Sequence, residues 1–127
     1  MSNNYQEVMI CEPPENIRGM SLDAYQQTAI STAIYPHDRD ITYLSLALCG
    51  EAGELADKVK KVIRDKNGQF FSPDIRALGL ELGDVLYYAA VLAKALGYNL
   101  SDIARLNNDK IKGRLERGTL HGEGDER

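Results

Sequence analysis

Two neighbouring rows of apolar residues along positions 73–96 constrain the fold more than any other feature of this 127-residue chain. The first row repeats at alternating intervals of four and three residues: Leu78, Leu82, Val85, Ala89, Leu92 and Leu96. This spacing is typical of a helix packed in a bundle. The second row is also apolar except at Glu81 and Asp84. Residues three apart share one helix face, about 5–6 Å apart at Cβ, so two carboxylates interrupt an otherwise apolar face.

Residues 40–65 show the same interruption in a second helical pattern. Its apolar stripe consists of Ile41, Leu44, Leu48, Leu55, Val59 and Val62. Glu51 fills the one gap in that stripe, and Glu54 lies one step to its side. Glycines flank both acidic pairs, at positions 50, 53, 79 and 83. Because a glycine inside a helix costs roughly 0.5–1 kcal/mol relative to alanine, we expect a backbone or a ligand to approach closely there.

Two further helices are predicted on either side of this pair. Ser21 is expected to N-cap a helix that ends near Tyr35, and Ser101 is expected to N-cap a helix that ends near Arg117. The chain shows no strand pattern, so the predicted fold class is all-α, a helical bundle of about four main helices. Its apolar helix surface exceeds what one small bundle needs, and we expect oligomerisation to complete the bundle.

The domain division follows from composition along the chain. Residues 1–20 are polar and contain adjacent prolines, which predicts a flexible N-terminal arm. Residues 21–118 form the predicted helical domain. Residues 119–127 are rich in glycine and charge, and we expect them to be a disordered tail.

Composition argues against several classes of function. A net charge of −4 is unlike that of a nucleic-acid binder, which has a basic surplus. No run approaches the ~18–20 apolar residues of a membrane span, and the first residues lack the basic and apolar regions of a signal peptide. Two distant cysteines are too few for a disulfide framework. We therefore expect a cytoplasmic protein without nucleic-acid or membrane partners.

Four acidic side chains converge if the second and third helices pack together: Glu51, Glu54, Glu81 and Asp84. Desolvating isolated carboxylates is costly, so such a cluster requires a cation. Oxygen ligands without a nearby histidine or cysteine select a hard ion, Mg²⁺ or alternatively Mn²⁺. Mg²⁺ commonly shares its carboxylates with substrate phosphates. The expected substrate is therefore a phosphorylated small molecule.

Phosphate chemistry also needs fixed positive charge, and the fourth helix offers it. Lys110 and Arg114 are four residues apart, and Asn107 lies one turn earlier on the same side. A solvated basic face is the alternative explanation for the two cations. Asn107 interrupts an apolar row, however, and this position favours a role in substrate binding.

Further candidates for substrate contact lie on the first three helices. Lys58 and Lys61 lie one and two turns beyond Glu54, and pairing with acidic neighbours four residues away would explain them equally well. Gln26 on the first helix is a candidate for contact with a base edge. Tyr88 is a candidate for stacking on a ring, with a structural role as the alternative.

Three motifs together resemble a known family. They are EAGE, which contains Glu51 and Glu54, then ELGD, which contains Glu81 and Asp84, and an N-x-x-K-x-x-x-R pattern in the last helix. In this order they resemble the MazG-like nucleoside triphosphate pyrophosphohydrolases of the all-α NTP pyrophosphatase superfamily. The resemblance covers residues 22–118, whereas the N-terminal arm and the tail have no counterpart in it.

The resemblance implies an Mg²⁺-dependent enzyme that converts a nucleoside triphosphate, ribo or deoxy, to the monophosphate and pyrophosphate. It implies that the four acidic residues are metal ligands, that Lys110 and Arg114 bind phosphates, and that Asn107 contacts the nucleotide. It also implies a homodimer or a homotetramer. In the mechanism we expect, Glu51 or Glu54 orients or deprotonates the water that attacks the α-phosphorus.

Two alternatives remain open at this stage. The first is another activity of the same superfamily, such as a dimeric dUTPase or a phosphoribosyl-ATP pyrophosphohydrolase. The second is a non-catalytic helical oligomer that binds a nucleotide without hydrolysing it.

Overall fold

The computed structural model describes residues 19–121. This part of the chain contains four α-helices: α1 (Leu22–Thr32), α2 (Asp40–Lys66), α3 (Ser72–Ala95) and α4 (Leu100–Glu116). A short 3-10 turn, His37–Arg39, leads into α2. No strand occurs within residues 19–121, so the all-α prediction is confirmed. The predicted arm, apart from its last two residues, and residues 122–127 of the predicted tail lie outside the described residues.

Helices α2 and α3 form an antiparallel hairpin and pack along their length. Asn67 and Gly68 end α2 in the left-handed conformation, with φ of 53° and 76°. The Gly68 N–H donates to the Val62 carbonyl at 3.2 Å, which closes the last turn. The Phe71 N–H donates to the Asp74 carboxylate at 3.0 Å at the start of α3. Asn67 and Gly68 thus form the turn that sets the alignment of the two helices.

Helix α4 begins at a cap that comes from α1. We expected Ser101 to be its N-cap, and this was wrong: Asn99 holds that position and makes no side-chain cap. Instead, Asp23 accepts from the Ser101 N–H at 2.9 Å and from its hydroxyl at 2.7 Å. These bonds lower the pKa of the Asp23 carboxyl, the backbone bond having the larger effect. The free N–H groups of the first turn of α4 are therefore satisfied by a different helix.

The buried apolar core lies where α1, α2, α3 and the start of α4 meet. It consists of Ala29, Leu44, Ala90, Val91, Ala93 and Leu100. Part of the row that we predicted as the bundle seam is open, since Leu82 is 58% and Leu96 is 48% exposed. The neighbouring row, which contains Glu81 and Val91, faces inward instead. A two-helix hairpin covers only one face of each helix, so part of the other apolar row stays uncovered within one protomer.

The membrane prediction can be tested on the same helices. Within residues 19–121, no helix combines the length and the apolar character that a membrane crossing requires.

Candidate functional site

Side chains from α2 and α3 bring three carboxylates together. One oxygen from each of Glu51, Glu81 and Asp84 lies within 4.8 Å of the others. Glu51 comes from the middle of α2, and the other two come from the stretch of α3 that packs against it. Glu51 and Glu81 are half-buried whereas Asp84 is exposed, so the cluster is open to solvent on one side. We call these three residues the acidic cluster.

Glu81 is only partly satisfied by the protein. Its side chain is 13% exposed, and Oε1 lies 3.2 Å from the Lys58 ammonium. Its other oxygen, Oε2, is buried and has no hydrogen-bond donor within residues 19–121. A buried carboxylate oxygen without a donor is costly. A divalent cation would satisfy this oxygen, and three oxygen ligands without nitrogen or sulfur suit a hard ion.

The acidic cluster changes the proton affinity of its own members. The pKa of the Glu51 carboxyl is raised, first by burial and then by the charges of Glu54, Asp84 and Glu81. Like charges at this separation disfavour full ionisation. A bound cation would remove that repulsion, because it favours the charged form of each carboxylate.

Glu54 lies beside the acidic cluster but outside the group of mutually close oxygens. It is exposed, although it is near enough for its charge to raise the pKa of Glu51. The structure therefore brings together three of the four acids that the sequence suggested as metal ligands. Glu54 keeps its carboxylate open to solvent.

The two lysine candidates on α2 have different partners. Lys58 pairs with Glu81 across the hairpin, whereas the Lys61 ammonium lies 2.6 Å from Asp57 on its own helix. Asp57 also pairs with Lys60, and the hydrogen bonds from Lys60 and Lys61 lower its pKa to about 2. Of the two candidates, Lys58 is thus the one in contact with the acidic cluster.

The candidates on α4 lie on an element that contacts α1 and α3 but, within the described residues, does not contact α2. Asn107 and Lys110 are exposed. Arg114 is buried, with 6% of its surface exposed, and its carbonyl accepts from the Thr119 N–H at 2.8 Å. One protomer therefore does not join this basic helix to α2 by direct helix–helix contact.

Gln26 has a place in the core rather than at a ligand surface. Its side chain is fully buried. The amide nitrogen donates to the Ala90 carbonyl at 3.0 Å and to the Tyr98 carbonyl at 3.1 Å. The amide oxygen accepts from the Leu100 N–H at 3.0 Å. With both donor hydrogens used and no exposed surface, the side chain offers no contact to a base, and we withdraw that assignment.

Two tyrosines lie near enough to the acidic cluster for its charges to shift their pKa values. The pKa of Tyr88 is raised, by burial first and then by charges that include Glu51 and Asp84. The pKa of Tyr25 is raised by burial and next by Asp84. The sequence marked Tyr88, which follows Asp84 by four residues on the same helix face. It gave no local signal for Tyr25, which reaches this region from α1.

Comparisons with known proteins agree with this arrangement. The family model described as the MazG nucleotide pyrophosphohydrolase domain matches residues 39–118, which include the whole acidic cluster. The chain is also similar to a Mycobacterium phage L5 protein named "Gene 37 protein". The two are 43% identical over 114 residues, which are 85% of this chain and 100% of the relative. No solved structure gives a significant match to the chain.

Proposed function

The chain belongs to the MazG nucleotide pyrophosphohydrolase family, and we propose that it hydrolyses a nucleoside triphosphate to the monophosphate and pyrophosphate in the cytoplasm. The observation that carries this proposal is the acidic cluster, whose three carboxylates come from two helices and meet within 4.8 Å. The buried, donor-free Oε2 of Glu81 supports the presence of a cation at this point. We assign the ion as Mg²⁺, with Mn²⁺ as the alternative.

The residues divide into two roles in the mechanism that we propose. Glu51, Glu81 and Asp84 would hold the ion, which when bound neutralises the acids and polarises phosphoryl oxygens. Glu54 is our choice for the base, because it is exposed and lies outside the group of mutually close oxygens. It would take a proton from a water whose oxygen attacks the α-phosphorus. The bond from that phosphorus to the bridging oxygen breaks, and pyrophosphate leaves.

Positive charge for the phosphates would come from two helices. Lys58 and Lys61 lie on α2, and Lys110 is exposed on α4, where the uncharged amide of exposed Asn107 could contact the nucleotide. Arg114 is assigned to the phosphates by the family resemblance alone, since it is buried within the protomer. Since α4 does not contact α2 in one protomer, we propose that a homodimer or homotetramer brings the basic helix and the acidic cluster to a common site.

The uncovered surface supports this assembly. Large apolar side chains that are more than half exposed on α2 and α3 include Leu46, Ile63, Leu80 and Leu82. A Cβ placed at any of the glycines flanking the acids would meet nothing within 4 Å inside the protomer. The close approach that these glycines suggested is therefore not made by the same protomer, and a second copy is the partner that we propose.

Replacing Gly53 by alanine tests the assembly. Inside one protomer the added methyl group meets no atom, and the change should favour the helix by roughly 0.5–1 kcal/mol. If a partner helix packs on this glycine, the methyl group forces the helices apart. We expect the variant to shift toward monomer in sedimentation velocity. An unchanged sedimentation coefficient with a raised melting temperature would show instead that Gly53 faces solvent.

A pyrophosphate-release assay with Mg²⁺ tests the activity itself. The substrates are the common ribo- and deoxyribonucleoside triphosphates, including dUTP, and phosphoribosyl-ATP. We expect equimolar monophosphate and pyrophosphate from at least one of them. Release confined to dUTP or to phosphoribosyl-ATP would indicate the corresponding relative within the superfamily. Binding of these nucleotides without product would refute the enzyme and support a non-catalytic helical oligomer.

The raised pKa of Glu51 predicts how metal binding depends on pH. The folded chain holds the proton of the Glu51 carboxyl more tightly than the unfolded chain does. Without metal, the contribution of Glu51 to stability is therefore present at low pH and lost as the pH rises through its raised pKa. A divalent ion binds the deprotonated form and reverses this trend.

We therefore expect Mg²⁺ to raise the melting temperature more at pH 7.5 than at pH 5. Differential scanning fluorimetry with and without Mg²⁺, at matched ionic strength, measures both shifts. Equal shifts at the two pH values would contradict the assignment of Glu51 as a ligand.

A further inference from the structure

Lys58 is the lysine of α2 whose ammonium contacts the acidic cluster. It lies seven residues after Glu51 on α2, which is two turns along the same helix face. Its ammonium crosses the hairpin and meets Glu81 Oε1 at 3.2 Å. Of the other lysines on α2, Lys60 and Lys61 pair with Asp57 on their own helix, and Lys66 pairs with Asp74 on α3. Lys58 instead places its charge on a member of the acidic cluster.

The pair between Lys58 and Glu81 is asymmetric in its burial. The carboxylate is fixed and only 13% exposed, whereas the lysine side chain is 42% exposed. Glu81 is left with its second oxygen buried and without a donor in the described part of the chain. The ammonium therefore reduces the repulsion among the three acids but does not saturate them. Because the lysine end of the pair is open to solvent, it can leave without unfolding the hairpin.

A pocket next to this pair can receive the departing side chain. It has a volume of about 230 Å³ and lies between α2 and α3. Its lining includes Lys58, Lys61, Lys66, Asp65 and Asp74. Lys61 and Lys66 have acidic partners of their own, Asp57 and Asp74. Because those two ammonium groups are already paired, the charge that Lys58 brings when it turns from Glu81 into this pocket is the one that can attract an anion such as a phosphate.

We infer that Lys58 is an exchangeable counter-cation. Its ammonium holds Glu81 in the metal-free protein, gives way when a divalent ion takes that carboxylate, and then serves the phosphate chain of the nucleotide. This inference rests on the proposed function, because it takes the acidic cluster as the metal site. It adds a coupling between the two ligands: free metal competes with Lys58, and a bound phosphate chain stabilises the displaced lysine. Such coupling is reciprocal, so each ligand tightens the binding of the other.

The test measures metal binding in the absence of nucleotide and of turnover. Mn²⁺ is titrated into the full chain and the free ion is followed by electron paramagnetic resonance. Lys58→Met keeps the alkyl stem and removes the charge, and we expect it to bind Mn²⁺ about three- to fivefold more tightly than the unsubstituted chain. Lys60→Met removes one charge from the same helix without changing the contact to Glu81. Its Mn²⁺ affinity should stay within about twofold of that of the unsubstituted chain. Lys58→Arg keeps the charge and should not bind more tightly.

A second titration with a non-hydrolysable nucleoside triphosphate analogue tests the other half of the exchange. In the unsubstituted chain the analogue should tighten Mn²⁺ binding. In Lys58→Met that gain should be smaller, because the displaced ammonium is missing. An equal gain in both proteins would overturn the role of Lys58 toward the phosphates.

The possible results distinguish a failure of this inference from a failure of the proposed metal site. If Mn²⁺ binds the unsubstituted chain and Lys58→Met with equal affinity, or the variant more weakly, the counter-cation is refuted while the metal site stands. If neither protein binds Mn²⁺ while circular dichroism shows intact helices, the metal site itself is refuted and the inference fails with it.

Discussion

Replacing Asp84 by asparagine is expected to reduce pyrophosphate release at least about 100-fold, a loss typical of removing one electrostatic contact to the transition state. The substitution keeps the shape of the side chain and removes the negative charge of one of the three carboxylates whose oxygens meet within 4.8 Å. Asp84 is exposed and belongs to a cluster of like charges, so the fold should not suffer. The substitution also relieves the repulsion between Asp84 and Glu51, whose pKa Asp84 helps to raise. This relief should slightly stabilise the metal-free protein.

Steady-state rates with saturating Mg²⁺ measure this effect, and circular dichroism checks the fold. Glu116→Gln is the matched control: it removes one carboxylate from α4, where Glu116 is exposed and, among residues 19–121, pairs only with Lys112, at 4.0 Å. This control should keep its full rate. An Asp84→Asn protein that turns over at the control rate with intact helices would refute the proposed metal centre.

Glu54→Gln should give a different pattern from Asp84→Asn. Glu54 lies outside the mutually close oxygens, so we expect its loss to lower kcat while Mn²⁺ still binds. Asp84→Asn should weaken Mn²⁺ binding as well. Equal loss of Mn²⁺ binding in both variants would make Glu54 a ligand rather than the base.

The sequence predicted the acidic cluster because helical spacing is a local property. Glu81 and Asp84 are three residues apart, as are Glu51 and Glu54, and each pair was expected on one helix face. Three residues turn a helix by about 300°, which leaves the two side chains about 60° apart. On α3 both carboxylates reach the cluster, whereas on α2 only Glu51 does. Spacing alone does not fix the rotation of a helix about its axis, and this rotation decided the position of Glu54.

The same limit explains the two apolar rows of α3. Both rows have the period of a packed helix, and the more regular one predicts the face that packs in the bundle. In the structure Leu82 and Leu96 of that row are open, while Val91 of the other row is buried. A regular apolar row indicates that something covers it, but not whether the cover is the same chain or a second copy. We therefore propose that the exposed side chains of this row are covered by a second copy in the oligomer.

Contacts between distant parts of the chain were beyond the reach of sequence patterns. Gln26 and Gln27 are adjacent and chemically identical, yet the first is fully buried and the second is exposed. Gln26 bonds to groups 64, 72 and 74 residues away. No local pattern encodes such partners. For this reason Gln26 was assigned to a ligand, and the cap that Asp23 provides to α4 was credited to Ser101.

Replacing Gln26 by alanine is expected to lower the free energy of unfolding by about 2–4 kcal/mol. The change leaves the Leu100 N–H and the Tyr98 carbonyl without their partner and opens a cavity beside Ala90. The Leu100 N–H is one of the first-turn donors of α4, so the docking of that helix should weaken most. Urea unfolding gives the total loss, and amide hydrogen exchange at Leu100 shows where it occurs.

Gln27→Ala provides the matched control for this prediction. It removes the same atoms from the next position of α1, where the side chain is exposed, and should change the unfolding free energy by less than about 0.5 kcal/mol. The difference between the two variants therefore isolates the buried amide. Near-equal stabilities would mean that the hydrogen bonds from Gln26 do not hold α4 against α1 and α3. With the link intact, α4 keeps a fixed position against α1 and α3, so each protomer presents its basic residues to the proposed oligomer in one defined orientation.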